Sequence, residues 1–507
     1  MKKYLKIIIS MAIIMGLLFP SAAYASQGEN GYEGGLSTQI LPAKTASKTS
    51  YNYSEMCFIT GKPVKFTGTL TISKSSKANG VTATYSYSLA NTQSKATLTR
   101  TLVYNTKLTK DANGQTIEET SFGKTPTEVI KFDKNVYTLT NYQLTKTNII
   151  DSVPVSNYFS GNIQSLKEYN VGSNPVTGKM KVETTGQFYG YDQYWSSSEV
   201  QTLDSLYSYE SNDAKEKWGG SVSVTVSSSA VKDLKYQENK PDQISFDGGY
   251  IQTQQNDSVL DYSSEMPEFD SKGISTDNVV KSQDSIKLEA FPTQTRLPVT
   301  DLNYLRGNWA ENDIKLLFSI GAFKTASGKF DPQKFITRAE FASALINSVK
   351  DIPADPAVKT TTNKTSSKTK VTSPFNDVPV SSLYFNDINT AYKKGIFSGS
   401  GNNNFGPDET ISLAEAVYVF IRAIGLQNMA PNTNAVTMFK DNDSIPSFAR
   451  SSMYVAEQIG LIHADDRGYI NPNSKITKAK AAVMLNGLID YMRNGISKDY
   501  RENILNY

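Results

Sequence analysis

The sequence predicts two fold classes in one chain: a mostly antiparallel all-β N-terminal domain, then an all-α region built from three helix–loop–helix repeats. Three observations predict this. From about residue 55 to 260, apolar and polar residues alternate with period two. From about residue 301 the apolar period becomes helical. Within that second part, FDPQKFITRAEFASALI (330–346) returns imperfectly as FGPDETISLAEAVYVFI (405–421) and INPNSKITKAKAAVMLN (470–486).

At 507 residues the chain is long enough for two to four domains. Residues 1–25 read as a cleaved signal peptide. Lys2, Lys3 and Lys6 make a basic start, Ile7 to Phe19 an apolar run too short for an ordinary transmembrane helix, and Ala23-Tyr24-Ala25 a small-residue cleavage site. Removing it takes three of 52 Lys and Arg, leaving 49 against 49 Asp and Glu. A neutral mature chain offers no basic field for nucleic acid. The single Cys57 excludes an internal disulfide. LPVTD (297–301) has Asp where a sortase signal needs Gly, so it reads as linker. The expectation is an exported protein whose mature form has no transmembrane segment.

Residues 26–50 are rich in Gly, Ser, Thr and Lys and read as a flexible mature N-terminus. The β domain is expected over 51–262. Val64, Phe66, Gly68, Leu70 and Ile72 alternate with Lys and Thr; Val81 to Leu89 and the Val222–Val226 stretch repeat the pattern. Such alternation fits antiparallel strands buried on one face. Asn113-Gly114 marks a hairpin. A sandwich, a partial barrel or a curved meander all satisfy the pattern. Residues 263–300 lose it and read as a linker.

The repeats span 301–350, 374–430 and 431–497, with a Thr/Lys/Ser-rich linker at 351–373 and a polar tail at 498–507. Their offsets are fixed. Trp309, Leu383 and Phe448 stand five residues before Ile314, Ile388 and Met453, which stand seven before Gly321, Gly395 and Gly460. Ile336, Ile411 and Ile476 follow those glycines by 15, 16 and 16 residues. One unit reads as helix, Gly stop, loop, helix.

Thr337-Arg338-Ala339-Glu340 is a capping box: the Thr hydroxyl accepts the Glu340 amide proton, and the Glu carboxylate reaches back to the Thr amide. Ser412 and Glu415 keep this grammar; Thr477-Lys478-Ala479-Lys480 loses the acid. Capping does not explain Arg338, since a cation in the first turn opposes the helix dipole. Amides and a guanidinium at a helix start suit a carboxylate or phosphate. A surface Arg paired with a neighbouring acid is the other reading.

These features, with GNWAENDIKLLFSIGAF, GKFDP, ITRAE, and the Phe-x-Asp of Phe375–Asp377 and Phe439–Asp441, resemble the S-layer homology modules of Gram-positive surface proteins. The resemblance covers the three repeats and not the β region. It implies a pseudo-threefold bundle whose grooves bind secondary cell-wall polysaccharide, often through a ketal-pyruvate, with S-layer proteins as further partners. By motif, Arg338 would contact the anionic sugar group, with the Thr337–Glu340 capping box beside it and Trp309 walling the groove. Lys478 would serve a weaker second groove, and Leu413 cannot bind an anion. Trp309 has a second reading as a core residue.

No cofactor, metal site or catalytic set is legible. The mature chain's single His463 lies in the third repeat, so no Ser-His-Asp or Cys-His arrangement can form in the β region. FYGYDQYW (188–195) is either a sugar-stacking strip or a core cluster. The expected function is a non-catalytic surface protein, held on wall polysaccharide at the cell surface and displaying its β domain. A wall-anchored carbohydrate-active enzyme or a glycan-binding adhesin, using the β domain, are the rival readings.

Overall fold

The computed structural model describes residues 33–41, 49–77, 79–132, 135–238, 248–324, 329–355, 358 and 372–500. The expected signal peptide, and residues 359–371 of the second linker, lie outside the described residues.

Period-two alternation produces one antiparallel meander. Its strands are β1 (Gly35–Leu41), β2 (Thr49–Cys57), β3 (Val64–Lys77), β4 (Gly80–Asn91), β5 (Ala96–Lys110), β6 (Thr116–Phe122), β7 (Thr127–Phe132) and β8 (Asn135–Val153). They continue with β9 (Ser156–Val171), β10 (Gly178–Gln193), β11 (Ser196–Ser211), β12 (Lys217–Gln237), β13 (Gly249–Phe269), β14 (Ser275–Glu289) and β15 (Thr293–Arg296). The strands pair in chain order; β7 fits between β5 and β8 beyond the end of β6, and β15 pairs with the far end of β13. The Asn113-Gly114 turn joins β5 to β6, with Gly114 at φ +84°. The sheet rolls up, so that β1 also lies against β12, β13 and β14. Phe66, Leu70, Ile72, Tyr87, Leu89 and Val226 fill the inside, as their parity requires.

Two segments depart from expectation. Glu33 to Leu41, expected in a flexible N-terminus, form β1 and its approach, and Glu33 is buried at the closure of the roll. Residues 263–300, expected as a linker, form the end of β13, then β14 and β15. Residues 276–281 are exposed on both faces, so they carry no apolar alternation to read.

The same parity turns Arg100 inward, between Leu98 and Leu102. It forks onto Glu55 at 2.8 and 2.9 Å and onto Glu128 at 2.7 Å. Lys167 joins Glu33 to Glu128, while Tyr169, Tyr142 and Tyr53 donate to Glu128, Glu33 and Glu55. Burial alone would raise the Glu128 pKa; Arg100 and then Lys167 outweigh it and hold it at about 2. Cys57 is buried nearby, and burial pushes its thiol up to about 12, which suits a small apolar filler rather than a nucleophile.

The C-terminal part is not the expected all-α pseudo-threefold bundle of three helix-loop-helix repeats. Among the described residues it holds α1 (Glu311–Ser319), α2 (Arg338–Val349), α3 (Phe385–Lys393), α4 (Leu413–Ile424), α5 (Arg450–Gln458) and α6 (Lys478–Asp490), and α6 is continued by a π-helical turn (Tyr491–Gly495) and a last helical turn (Ile496–Asp499). Helical spacing of apolar residues persists for only nine to thirteen residues in each. Turns, 3₁₀ segments and extended loops fill the rest; most of their backbone bonds are local turn bonds, while those at the helix starts cross to a neighbouring repeat. The Phe-x-Asp carboxylates pin these loops: Asp377 accepts from Phe405 and Gly406, Asp441 from Ile470 and Asn471.

The two parts share a buried seam. Trp195 Nε1 donates to Ser348 O at 2.7 Å, Tyr158 OH to Ile424 O at 3.1 Å and Ser196 Oγ to Met492 O at 2.7 Å. The first two carbonyls close α2 and α4 and the third lies in the helical continuation of α6, so side chains of the sheet cap two helix C-termini and pin a third helix near its end. The FYGYDQYW cluster therefore serves the seam: Tyr191 and Trp195 are buried and Tyr189 is half-buried against it. A sugar-stacking strip there is excluded. Of the expected polar tail, 498–500 are described and Tyr500 joins the seam, its OH donating to Phe159 O at 3.0 Å.

Two outcomes are expected. Glu128→Gln leaves two buried cations short of an acid and lowers stability by about 3–5 kcal/mol in urea unfolding. Because the folded pKa lies below the ordinary 4.5, the carboxylate's contribution is present above pH 4.5 and is lost as pH falls toward 2. The acid limb of the wild-type stability curve is thus steeper there than the variant's, and equal limbs contradict the assignment. Trp195→Phe keeps most of the ring but orphans Ser348 O, costing about 1–3 kcal/mol; a change below about 0.5 kcal/mol contradicts the cap.

Candidate functional site

The site is built at the starts of the three longer helices, the ends remote from the sheet. Thr337, Ser412 and Thr477 are their N-caps and accept from the amides of Glu340, Glu415 and Lys480. Glu340 and Glu415 return the bond to the amides of Thr337 and Ser412 at 3.1 and 2.7 Å, completing two capping boxes. The third start lacks the reciprocal half, since Lys480 has no acceptor to offer.

The first-turn amides are occupied. Arg338 and Ala339 donate to the carbonyls of Glu409 and Pro407, Leu413 and Ala414 to Ser474 and Pro472, and Lys478 and Ala479 to Lys334 and Pro332. Inside this ring Ile336 donates to Ile476, Ile476 to Ile411 and Ile411 back to Ile336, at 3.1 to 3.3 Å. Each helix start is therefore held by the loop of the next repeat. The amides offer nothing to an anion, which leaves the side chains.

Arg338 spans the cleft between the first and second repeats. Its Nε donates to Phe405 O at 3.0 Å and Nη2 to Ser398 O at 3.3 Å, while Nη1 stands 3.5 Å from Glu415 Oε1. The guanidinium lies over Phe405 and Phe397, at 5.2 and 5.8 Å from the ring centres. Its side chain is 11% exposed, so an outer face remains open. Lys475 approaches the same Glu415 at 3.8 Å.

Lys478 repeats the arrangement between the third and first repeats, paired to Glu340 beside the Phe330 ring. The remaining cleft lacks both partners: Leu413 is buried at the cation position, and Lys480 replaces the acid. The cation and the capping acid of the following repeat thus occur together or not at all. Arg338 is in part the pairing partner that the second sequence reading described.

Trp309 is 62% exposed, which excludes the core reading, and Leu383 and Phe448 are exposed at the matching positions. α2, which begins with Arg338, lies against both α3 and α6, and α6, which begins with Lys478, also packs on α1, the helix preceded by Trp309. An open cleft of about 460 Å³ adjoins it, lined by Tyr304, Arg306, Asn308, Lys329, Phe330 and Asp331. Sequence reading missed this cleft because Arg306 and Lys329 have no counterpart in the other repeats. Among the described residues no cluster of three or more His, Cys, Asp or Glu is arranged to hold a metal, and no helix is long and apolar enough to cross a membrane.

Comparison with known proteins agrees with the motif reading. The S-layer homology domain family matches residues 306–342 and 374–417. The chain is 25% identical over 203 residues to the Surface-layer 125 kDa protein of Lysinibacillus sphaericus, covering 39% of this chain and 16% of that protein. It is 32% identical over 115 residues to an S-layer protein of Bacillus licheniformis, covering 22% of this chain and 12% of that one. It is also 27% identical over 196 residues to an amylopullulanase of Thermoanaerobacterium thermosulfurigenes, covering 38% of this chain and 10% of that enzyme. The matches thus span 10% to 16% of these relatives' own lengths. With the capping boxes, Arg338 and Trp309 all inside the matched residues, the chain carries S-layer homology domains.

Proposed function

We propose that this protein is a non-catalytic cell-surface protein, anchored without a covalent bond to an acidic secondary cell-wall polysaccharide through its S-layer homology domains. The observation that carries this reading is the polarity of the molecule. The later turns of α2, α4 and the extended α6 are docked on the sheet, so the cationic starts at Arg338 and Lys478 lie about 18 Å or more away, at least one helix length. A glycan held at those starts leaves the β domain free to be displayed outward.

Arg338 meets the anionic sugar group in this reading. Three of its five N–H groups are engaged and the 3.5 Å contact to Glu415 is the loosest, so a carboxylate on the sugar competes with Glu415 for the fork. Trp309 offers a ring face to a sugar at the neighbouring cleft, where Arg306 and Lys329 supply positive charge and Lys478 lies over the lining Phe330 ring. A pyruvylated amino sugar fits both clefts, because it joins a carboxylate to an apolar ring face. No observation favours catalysis in the β domain: Glu55 and Glu128 meet on Arg100, but both are buried and spent on that contact.

Retention on purified wall polysaccharide tests the assignment. Arg338→Ala is expected to weaken binding about 10- to 100-fold, the worth of a charge-assisted pair. Glu415→Gln breaks the same cross-repeat contact but keeps the cation, and is expected to bind as well as wild type or better. Equal retention of wild type and Arg338→Ala contradicts the site; equal loss in both variants reduces Arg338 to a staple between repeats.

A further inference from the structure

The last full-length strand of the sheet is an unusual edge. β14 pairs with β13 on one side, and among the described residues no strand pairs with its other side. β1 returns over Ser258, whose partner in β14 is Leu288, so it covers only the C-terminal end of that strand. Residues 276–281 are exposed on both faces, and Val279 and Val280 are 60% and 48% exposed at their centre. A bare edge of this kind is a template for another strand.

We propose that β14 pairs antiparallel with β14 of a second copy of this chain, about a twofold axis at Val279. The sequence TDNVVKS (276–282) is self-complementary in that register. Val279 faces Val279, Asn278 faces Val280, and Thr276 faces Ser282. Asp277 of each copy faces Lys281 of the other, so two opposite-charge pairs flank an apolar centre. Lys281 already bonds Glu265 of β13 at 2.6 Å. Each pair therefore extends a row across the joined sheets as Glu265, Lys281 and Asp277, with alternating sign.

Other registers lose this match. Centring on Val280 sets Lys281 against Val279 and Asp277 against Gln283. Centring on Lys281 sets two like charges face to face, which is repulsive. The charges on this edge thus oppose the wrong neighbours and admit one. The contact is isologous, so it closes at two copies and does not run on as a fibre. It is independent of the glycan clefts, which lie at the far end of the repeats.

A short edge contact is weak, so sedimentation equilibrium of the full chain is carried to about 0.5 mM. The expected result is a monomer–dimer equilibrium. Asp277→Lys or Lys281→Asp alone weakens it about tenfold or more, and the two together restore it to within about threefold. Both positions are exposed, and far-UV circular dichroism checks that each variant keeps its sheet. Slowed amide exchange at residues 276–282 with rising concentration supports the same edge. A wild type that stays monomeric, single variants that dimerise as wild type does, or a double exchange that fails to restore pairing overturns the proposal.

Discussion

The docking of three helices on the sheet through buried carbonyls, two of them at helix C-termini, is the constraint on which the rest of the molecule depends. A helix leaves its last carbonyls without partners, and buried carbonyls need donors. Trp195, Tyr158 and Ser196 supply them for Ser348, Ile424 and Met492. The aromatic rings bring apolar area to the same places, so the seam is both dry and hydrogen-bonded. Once those ends are fixed, the direction of α2, α4 and α6 follows, and with it the exposure of Arg338 and Lys478 on the remote side.

At that remote side the backbone closes a circle. Three isoleucines bond one another in a ring, and six first-turn amides are taken by the loops of the next repeat. Each repeat caps one amide of its helix start itself but leaves the first two to the next repeat's loop, which is a physical reason for the segment to occur three times. The ring also limits where chemistry can occur. With the amides occupied, an anion must be met by side chains, and the three clefts differ in what they offer. One has a guanidinium, one an ammonium, and one neither.

The strands, their parity and the hairpin at Asn113-Gly114 were legible because burial on one face imprints period two on the residues. The same parity placed Arg100 inward between two leucines, a signal that reading for apolar residues alone passes over. β14 was illegible because neither of its faces is buried along residues 276–281. The helical period overstated the C-terminal part as an all-α bundle, because each apolar stripe persists for only nine to thirteen residues and loops and turns fill the rest. At the site, Thr337 and Glu340 were readable as helix grammar, since capping is local. The partners of Arg338 were not, because Phe405 and Glu415 belong to the next repeat. The packing of α1 and α2 on α6 was hidden for the same reason: fixed spacing within one repeat says nothing about which neighbour each helix meets.

The central claim is that a negative charge on a wall sugar is what the remote helix starts recognise. The most direct measurement is calorimetric titration of the full chain with wall polysaccharide before and after mild acid hydrolysis of its acidic substituents. The account predicts that the treated polymer loses about tenfold or more in affinity, and that added salt weakens binding of the untreated polymer only. Unchanged affinity for the treated polymer would contradict it.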